Sequence, residues 1–337
     1  MIEKTKIGVL GAGTWGIALA RLLANAGHDV VVWSAIEKEI DTLSSTRVHP
    51  NLPGVELPES MAYTKDIAEI AKDKDLLLFA VPSVFVRATA RKVAPYITDG
   101  QVIVDVAKGI EEATLFTMSE IIADEINNPT IKLVALSGPT HAEEVIKDLP
   151  TTIISASEDI ATAEFVQKVF NTERMRVYTN TDIRGVELCG ALKNVIALAS
   201  GIATGLGCGD NAKAALITRG IAEIGRLGNA MGCKDHTFNG LAGIGDIIVT
   251  ATSVHSRNNR CGMLIGQGVP VDEATKQVGM VVEGLNALPA AIRLSKKYNV
   301  EMPIVETVDA VVSGRVEVKC AIDYLMSREL KSEIENI

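Results

Sequence analysis

Cysteine and histidine are sparse in this chain, and positive charge is in deficit. The five cysteines (Cys189, Cys208, Cys233, Cys261 and Cys320) are odd in number, widely spaced and without a C-x-x-C pair. That pattern supports neither a disulfide framework nor a zinc site, and it fits a reducing, cytoplasmic compartment. The five histidines (His28, His49, His141, His236 and His255) show no H-x-x-x-H spacing, so no metal is expected. A serine-hydrolase elbow, G-x-S-x-G, is also missing. Acidic residues outnumber basic ones by 42 to 33, for a net charge of −9. Nucleic acid and anionic membrane are thereby excluded as main partners, and an anionic ligand has to meet a local cluster of donors. No uninterrupted apolar run reaches the roughly 18 residues that a membrane-crossing helix needs. Lys4 and Lys6 ahead of Ile7–Ala20 imitate a short secretion signal. Against that reading, the stretch carries Gly11, Gly13 and Gly16, and cleavage would delete the first strand of the fold.

What is present is globular: 337 residues, 47% hydrophobic and 22% charged, enough for two domains. The first half alternates β-type runs with helical stretches. Lys6–Leu10, Asp29–Trp33, Leu76–Val81, Gln101–Val106, Leu133–Leu136, Thr152–Ser155 and Met175–Tyr178 are nearly continuous apolar segments, as parallel strands covered on both faces are. Between them lie helical patterns such as Ile17–Ala26, closed by Gly27, and Ser83–Ala94, stopped by Pro95. Strand and helix in alternation predict an α/β fold, a Rossmann-type doubly wound sheet. Beyond Asp182 the long segments Arg184–Ala203, Asn211–Met231 and Val282–Tyr298 have helical periodicity and strand-like runs almost vanish. The expected division is a dinucleotide-binding domain over 1–181 and an all-α C-terminal domain over 182–337, with the ligand in the cleft between them.

The strongest local signal is Gly11-Ala12-Gly13-Thr14-Trp15-Gly16, a G-x-G-x-x-G between an apolar strand and an Ala/Leu-rich helix. Gly11 allows a tight turn, Gly13 lets the backbone approach a pyrophosphate, and Gly16 lets helix and strand pack closely. Lys108 and the Ser137-Gly138-Pro139-Thr140-His141-Ala142 segment each follow an apolar strand. They are therefore expected at the carboxyl edge of the sheet, where open α/β folds bind ligands. Alone, each reads equally well as an ordinary loop. Lys193 stands in Leu188–Leu198, a helix apolar nearly all round. A lysine seldom enters a buried helix without a partner or a task, and desolvation lowers its pKa toward the range of proton transfer. The alternative is a lysine that snorkels to the surface. Asp246, after Gly243-Ile244-Gly245, reads either as a helix N-cap or as a carboxylate that serves the lysine or a substrate hydroxyl. Ser256, Arg257 and Asn258 precede the helical run Cys261–Gly266. Hydroxyl, guanidinium and amide donors there suit a phosphate, and a solvated loop is the plain alternative.

At this point the chain closely resembles the bacterial-type NAD(P)-dependent glycerol-3-phosphate dehydrogenases. The resemblance covers nearly the whole length through the stretches Gly11–Gly16, Leu52-Pro53-Gly54, Ala107-Lys108-Gly109, Ser137-Gly138-Pro139-Thr140, Leu192-Lys193-Asn194, Gly243-Ile244-Gly245-Asp246, Ser256-Arg257-Asn258 and Val281-Val282-Glu283-Gly284. It implies a Rossmann domain followed by a helical one. It also implies interconversion of sn-glycerol 3-phosphate and dihydroxyacetone phosphate with NAD or NADP, supplying glycerophospholipid synthesis, and a homodimer. Carried over residue by residue, Thr14, Trp15, Lys108, Ala142, Arg257, Val281 and Glu283 contact the cofactor with Gly11, Gly13 and Gly16. Lys108, Gly138, Thr140, Lys193, Asp246, Ser256, Arg257 and Asn258 contact the substrate, and Lys193 is the acid–base residue.

Three positions depart from the family pattern. Ala35 stands where a basic residue is usual, Asn51 precedes the Leu-Pro-Gly loop in place of an aromatic residue, and His141 replaces a common Phe. The first favours NAD over NADP, because a 2′-phosphate then lacks its cation. Glu37, if close, would repel that phosphate, while Ser34 and Lys38 are the nearest polar groups that could hold it. Two other readings compete. A related two-domain dehydrogenase of hydroxy acids would not call for the 256–258 phosphate cluster. A catalytically silent dinucleotide sensor would not be expected to keep Lys193 and Asp246.

Overall fold

The computed structural model describes residues 4–330, 332 and 333. β1 (Lys6–Leu10), α1 (Thr14–Asn25), β2 (Asp29–Trp33), α2 (Glu37–Thr46), β3 (Ala62–Thr64), α3 (Ile67–Ala71), β4 (Leu76–Phe79), α4 (Val86–Val93), β5 (Val102–Asp105), α5 (Met118–Ile126) and β6 (Lys132–Ser137) follow in chain order. Next come α6 (Ala142–Val145), β7 (Thr151–Ala156), α7 (Ile160–Phe170) and β8 (Met175–Asn180). The eight strands form one sheet in the order β3-β2-β1-β4-β5-β6-β7-β8. The order reverses between β1 and β4, and the crevice at the carboxyl ends of those two strands is where such folds take their ligands.

Every neighbouring pair is parallel except β6 and β7, so β7 and β8 run opposite to the first six strands. That corrects the expectation of parallel strands throughout. The β6–β7 connection holds only the single-turn α6, too little helix to carry the chain back across the sheet, and it returns antiparallel instead. β3 escaped the sequence reading because it is short and pairs only at the sheet edge. Pro95 acts as expected: α4 ends at Val93 and a 3₁₀ turn, Ala94–Tyr96, follows.

From Ile183 onward the described elements are helical: α8 (Ile183–Gly205), α9 (Asp210–Ala230), α10 (Asp235–Phe238), a π-turn at Leu241–Gly245, α11 (Asp246–Thr252), α12 (Arg257–Gly266), α13 (Val271–Val278), α14 (Glu283–Tyr298), α15 (Pro303–Val312) and α16 (Ala321–Met326). α8 is the axis of this half. It is long and apolar enough to cross a membrane by composition, yet it is buried inside the fold, and the other helices wrap it. Its N-terminus is fixed by Asp182, whose carboxylate accepts from the amides of Gly185 and Lys234 and from the Thr237 hydroxyl. α12 lies almost backbone to backbone on α8. A Cβ on Gly201 would come within 2.1 Å of the Asn259 carbonyl, and one on Gly262 within 2.1 Å of the Leu198 carbonyl. This contact holds the N-terminus of α12, and with it Arg257 and Asn258, beside the middle of α8.

Candidate functional site

The glycine loop after β1 is built for close approach from outside. Gly11 has φ +122°, and its amide donates to the Trp33 carbonyl at 2.8 Å; a Cβ there would meet the Ala80 carbonyl at 2.6 Å. A Cβ on Gly16 would come within 2.4 Å of the Gly11 carbonyl. At Gly13, by contrast, a Cβ would meet nothing within 4 Å, so the space beside it is open. Gly13 precedes α1 without a side-chain cap, leaving the first amides of the helix free for an anion. An open cradle and an uncapped helix fit a dinucleotide pyrophosphate. Thr14 and Trp15, half-buried, begin that helix.

Five of the expected site residues, Lys108, Gly138, Thr140, Lys193 and Asp246, form one connected network, with both lysines on the Asp246 carboxylate. Lys193, midway along α8 and only 6% exposed, donates from Nζ to Asp246 Oδ1 at 2.6 Å and to Thr250 Oγ1 at 2.6 Å. It does not snorkel. Lys108, just past β5, donates to Asp246 Oδ2 at 2.6 Å and to the Gly138 carbonyl and Thr140 Oγ1, each at 3.0 Å. Asp246 is the first residue of α11, not its cap; Gly245 holds the cap position. One buried carboxylate thus ties a lysine of the sheet edge to a lysine of the central helix.

The electrostatics follow from that arrangement. Burial, together with repulsion from Lys108 and against the pull of Asp246, brings the Lys193 ammonium down to about 7. Burial pushes the Asp246 carboxyl up, but the two ammonium groups outweigh it and hold the acid below its ordinary range. At neutral pH, Asp246 is ionised and Lys193 is poised between its two states.

The α12 cluster is only partly free. Ser256 caps the helix, its Oγ accepting from the Asn259 amide at 3.2 Å, and the helix begins at Arg257, four residues earlier than the apolar run suggests. Asn258 donates to Asn194 Oδ1 at 2.9 Å and accepts from the Gly284 amide at 2.8 Å. It therefore links α8 to the start of α14 and keeps one amide hydrogen for other use. Arg257 is half-buried and has no protein partner among the described residues. Glu283 crosses from α14 to the loop after β4, accepting from the Ser83 amide at 3.1 Å and its hydroxyl at 2.6 Å. Val281 lies two residues before it, and Ala142 is buried at the start of α6.

At the end of β2 the polar groups already have protein partners. Glu37 is exposed and pairs with Lys65 at 3.5 Å. The Ser34 hydroxyl donates to Glu39 Oε2 at 2.6 Å and accepts the Ile36 amide at 3.1 Å.

The sequence reading also missed Thr250, although it lies one turn beyond Asp246 on the same helix, at a spacing that puts both on one face. Asp105, buried at the end of β5, went unremarked too. Neither carboxylate oxygen has a hydrogen-bond partner, and burial pushes its carboxyl well above the usual range. His141, where the family commonly has Phe, sits with its ring 5.8 Å from that of His255.

Comparison with known proteins then gives the relatives. The model of the NAD-dependent glycerol-3-phosphate dehydrogenase N-terminus matches residues 6–163, and that of its C-terminus matches residues 182–323. A glycerol-3-phosphate dehydrogenase [NAD(P)+] of Lactobacillus delbrueckii subsp. bulgaricus is 63% identical over 333 residues, covering 98% of this chain and 99% of its own. The chain belongs to the NAD-dependent glycerol-3-phosphate dehydrogenase family. An Agathobacter rectalis member is 53% identical over 330 residues, 98% of each chain. The crystal structure of glycerol-3-phosphate dehydrogenase from Coxiella burnetii superposes with a TM-score of 0.92 at 35% identity, over 96% of this chain and 99% of that one. Family membership thus reaches across both halves of the fold, sheet and helices alike.

Proposed function

We infer that this chain is an oxidoreductase that interconverts sn-glycerol 3-phosphate and dihydroxyacetone phosphate with NAD or NADP, supplying glycerol 3-phosphate for glycerophospholipid synthesis. The observation that carries the reading of its site is Asp246 bridging Lys193 and Lys108 at 2.6 Å each. A bound nicotinamide would supply the hydride that reduces C2 of the ketone. Lys193 donates its proton to the developing alkoxide, and in oxidation it takes the alcohol proton back. Asp246 and Thr250 hold the ammonium in place, and Lys108 makes its proton easier to give up by repulsion. Gly138 and Thr140 anchor Lys108 beside the substrate. Gly11, Gly13, Thr14, Trp15 and Gly16 would hold the dinucleotide phosphates. Ala142, Val281, Glu283, Lys108 and Arg257 would complete its contacts from the facing elements. In this reading, 1–181 is the dinucleotide-binding domain and 182–337 the substrate-binding domain.

Arg257 is the group suited to the substrate phosphate, with the Ser256 hydroxyl and the remaining amide hydrogen of Asn258 beside it. Its guanidinium has no competing partner among the described residues, and a helix N-terminus adds to the field. Arg257→Ala is expected to raise KM for dihydroxyacetone phosphate by about 10-fold or more, the scale of a lost charge-assisted hydrogen bond. KM for unphosphorylated dihydroxyacetone should change far less. Equal losses with both substrates would remove the loop from phosphate recognition.

The preferred dinucleotide in this reading is NAD. Ala35 offers no cation, and Arg47, the next arginine along the chain, is committed to the carbonyls of Pro58 and Met61 at 3.1 and 2.7 Å. We expect a higher kcat/KM for NADH than for NADPH, and Ala35→Arg to move the ratio toward NADPH. A native ratio at or below one would contradict this view of the ribose pocket.

Two further features belong to the proposal. Five free thiols suit the cytoplasm. A homodimer would cover Ile322, Tyr324 and Met326, which are 37%, 51% and 79% exposed beside a cavity of about 680 Å³ between α9, α15 and α16. Light scattering should give twice the 35.8 kDa chain mass; a monomer at assay concentration would refute the pairing.

A further inference from the structure

The end of β2 carries a carboxylate that neither the motif nor the family pattern points to. Glu39 is the third residue of α2, the position from which a glutamate side chain reaches back past the helix start. It does so here. The Ser34 hydroxyl, buried at the end of β2, donates to Glu39 Oε2 at 2.6 Å. The Glu39 charge also reaches the ring of His49, whose Nε2 lies 3.1 Å from the carbonyl of Ala12 in the glycine loop. The carboxylate is thus held at the tip of β2, within electrostatic reach of the histidine that touches the glycine loop, and the tip of β2 is the region that receives the adenosine ribose in a Rossmann fold. Among the described residues no cation forms an ion pair with it. Lys65 is paired with Asp41 at 2.7 Å and Glu37 at 3.5 Å, and Arg47 is bonded to loop carbonyls and stacked 5.3 Å from the Tyr63 ring.

We propose that Glu39, held by Ser34, is the residue that discriminates between the two dinucleotides, by repelling a 2′-phosphate and accepting a 2′-hydroxyl. This rests on the dinucleotide reading of the β1–α1 loop. It assigns to Glu39 the role that the sequence alone suggested for Glu37. A glutamine at position 39 keeps an oxygen for the Ser34 hydroxyl and removes only the charge, so the helix start stays intact.

The experiment is direct binding of NADH and of NADPH to the full chain, by titration calorimetry, for the native protein, Glu39→Gln and Glu37→Gln. Glu39→Gln should shift the ratio of the two dissociation constants toward NADPH by about fivefold or more, the scale of removing one nearby unit charge. The NADH constant should move by no more than about twofold on that account, since the side-chain amide still hydrogen-bonds a 2′-hydroxyl, which both donates and accepts. Glu37→Gln should leave the ratio in place. In the native chain, lowering salt from about 100 mM to about 10 mM lengthens the screening distance from about 10 to about 30 Å, and NADPH should weaken relative to NADH. That measurement holds even where a variant folds poorly. An unchanged ratio in Glu39→Gln, or equal weakening of both nucleotides, overturns the role and leaves Glu39 as a helix clasp. Failure of the native chain to bind either nucleotide overturns the dinucleotide reading as well.

Discussion

Lys193→Ala should lower kcat for reduction of dihydroxyacetone phosphate by about 100-fold or more, the range for losing a positioned acid–base group. Dinucleotide affinity should hold, because the glycine loop and α1 lie on the sheet and not on α8. The pH profile gives the same residue a second signature. Reduction needs the protonated lysine, so kcat/KM in that direction should fall as pH rises through about 7, where burial and Lys108 have brought the group. Oxidation needs the free amine, and its kcat/KM should rise over the same window. Near-native kcat in the alanine variant, or profiles of the same sign in both directions, would remove Lys193 as the proton carrier.

Asp246→Asn should damage both activity and stability. The carboxylate is fully buried, and its two oxygens each hold one ammonium. The amide leaves Lys193 and Lys108 close together without a counter-charge. Breaking a buried pair in this way costs about 3 kcal/mol, the lower end of the usual range, because Lys193 can shed its proton. With the anion gone, the Lys193 pKa falls further, and the reductive profile should move to lower pH with kcat down by about 100-fold. Urea titration and steady-state rates test the two effects separately. A variant as stable and as active as the native chain would show that the carboxylate does not organise the site.

How much of this the sequence disclosed depended on the range of each interaction. Gly11, Gly13 and Gly16 were legible because a strand, a turn and a helix start lie within one short segment; backbone sterics dictate glycine at 11 and 16, and Gly13 keeps the space beside it open. Lys193 was legible because an apolar helix around a lysine is an anomaly at any distance. Its partner was legible only as one of two readings, because Asp246 lies far along the chain and its local context, a glycine turn before a helix, equally suits a cap. The fold puts Lys193, Thr250 and a second lysine on that carboxylate. The direction of β7 and β8 was hidden because apolar runs do not encode polarity; the short α6 decided it. At the end of β2 the sequence drew attention to Glu37, and the fold draws it to Glu39. Helix phase turns Glu37 outward to Lys65 and brings Glu39 back to Ser34.

The account is tested most directly by following nicotinamide absorbance when the purified chain is given dihydroxyacetone phosphate with NADH, and separately with NADPH. The expected result is oxidation of the dinucleotide that depends on the phosphorylated ketone, runs faster with NADH, and is almost abolished in Lys193→Ala. Binding of the dinucleotide without turnover of dihydroxyacetone phosphate, by either cofactor, would contradict it.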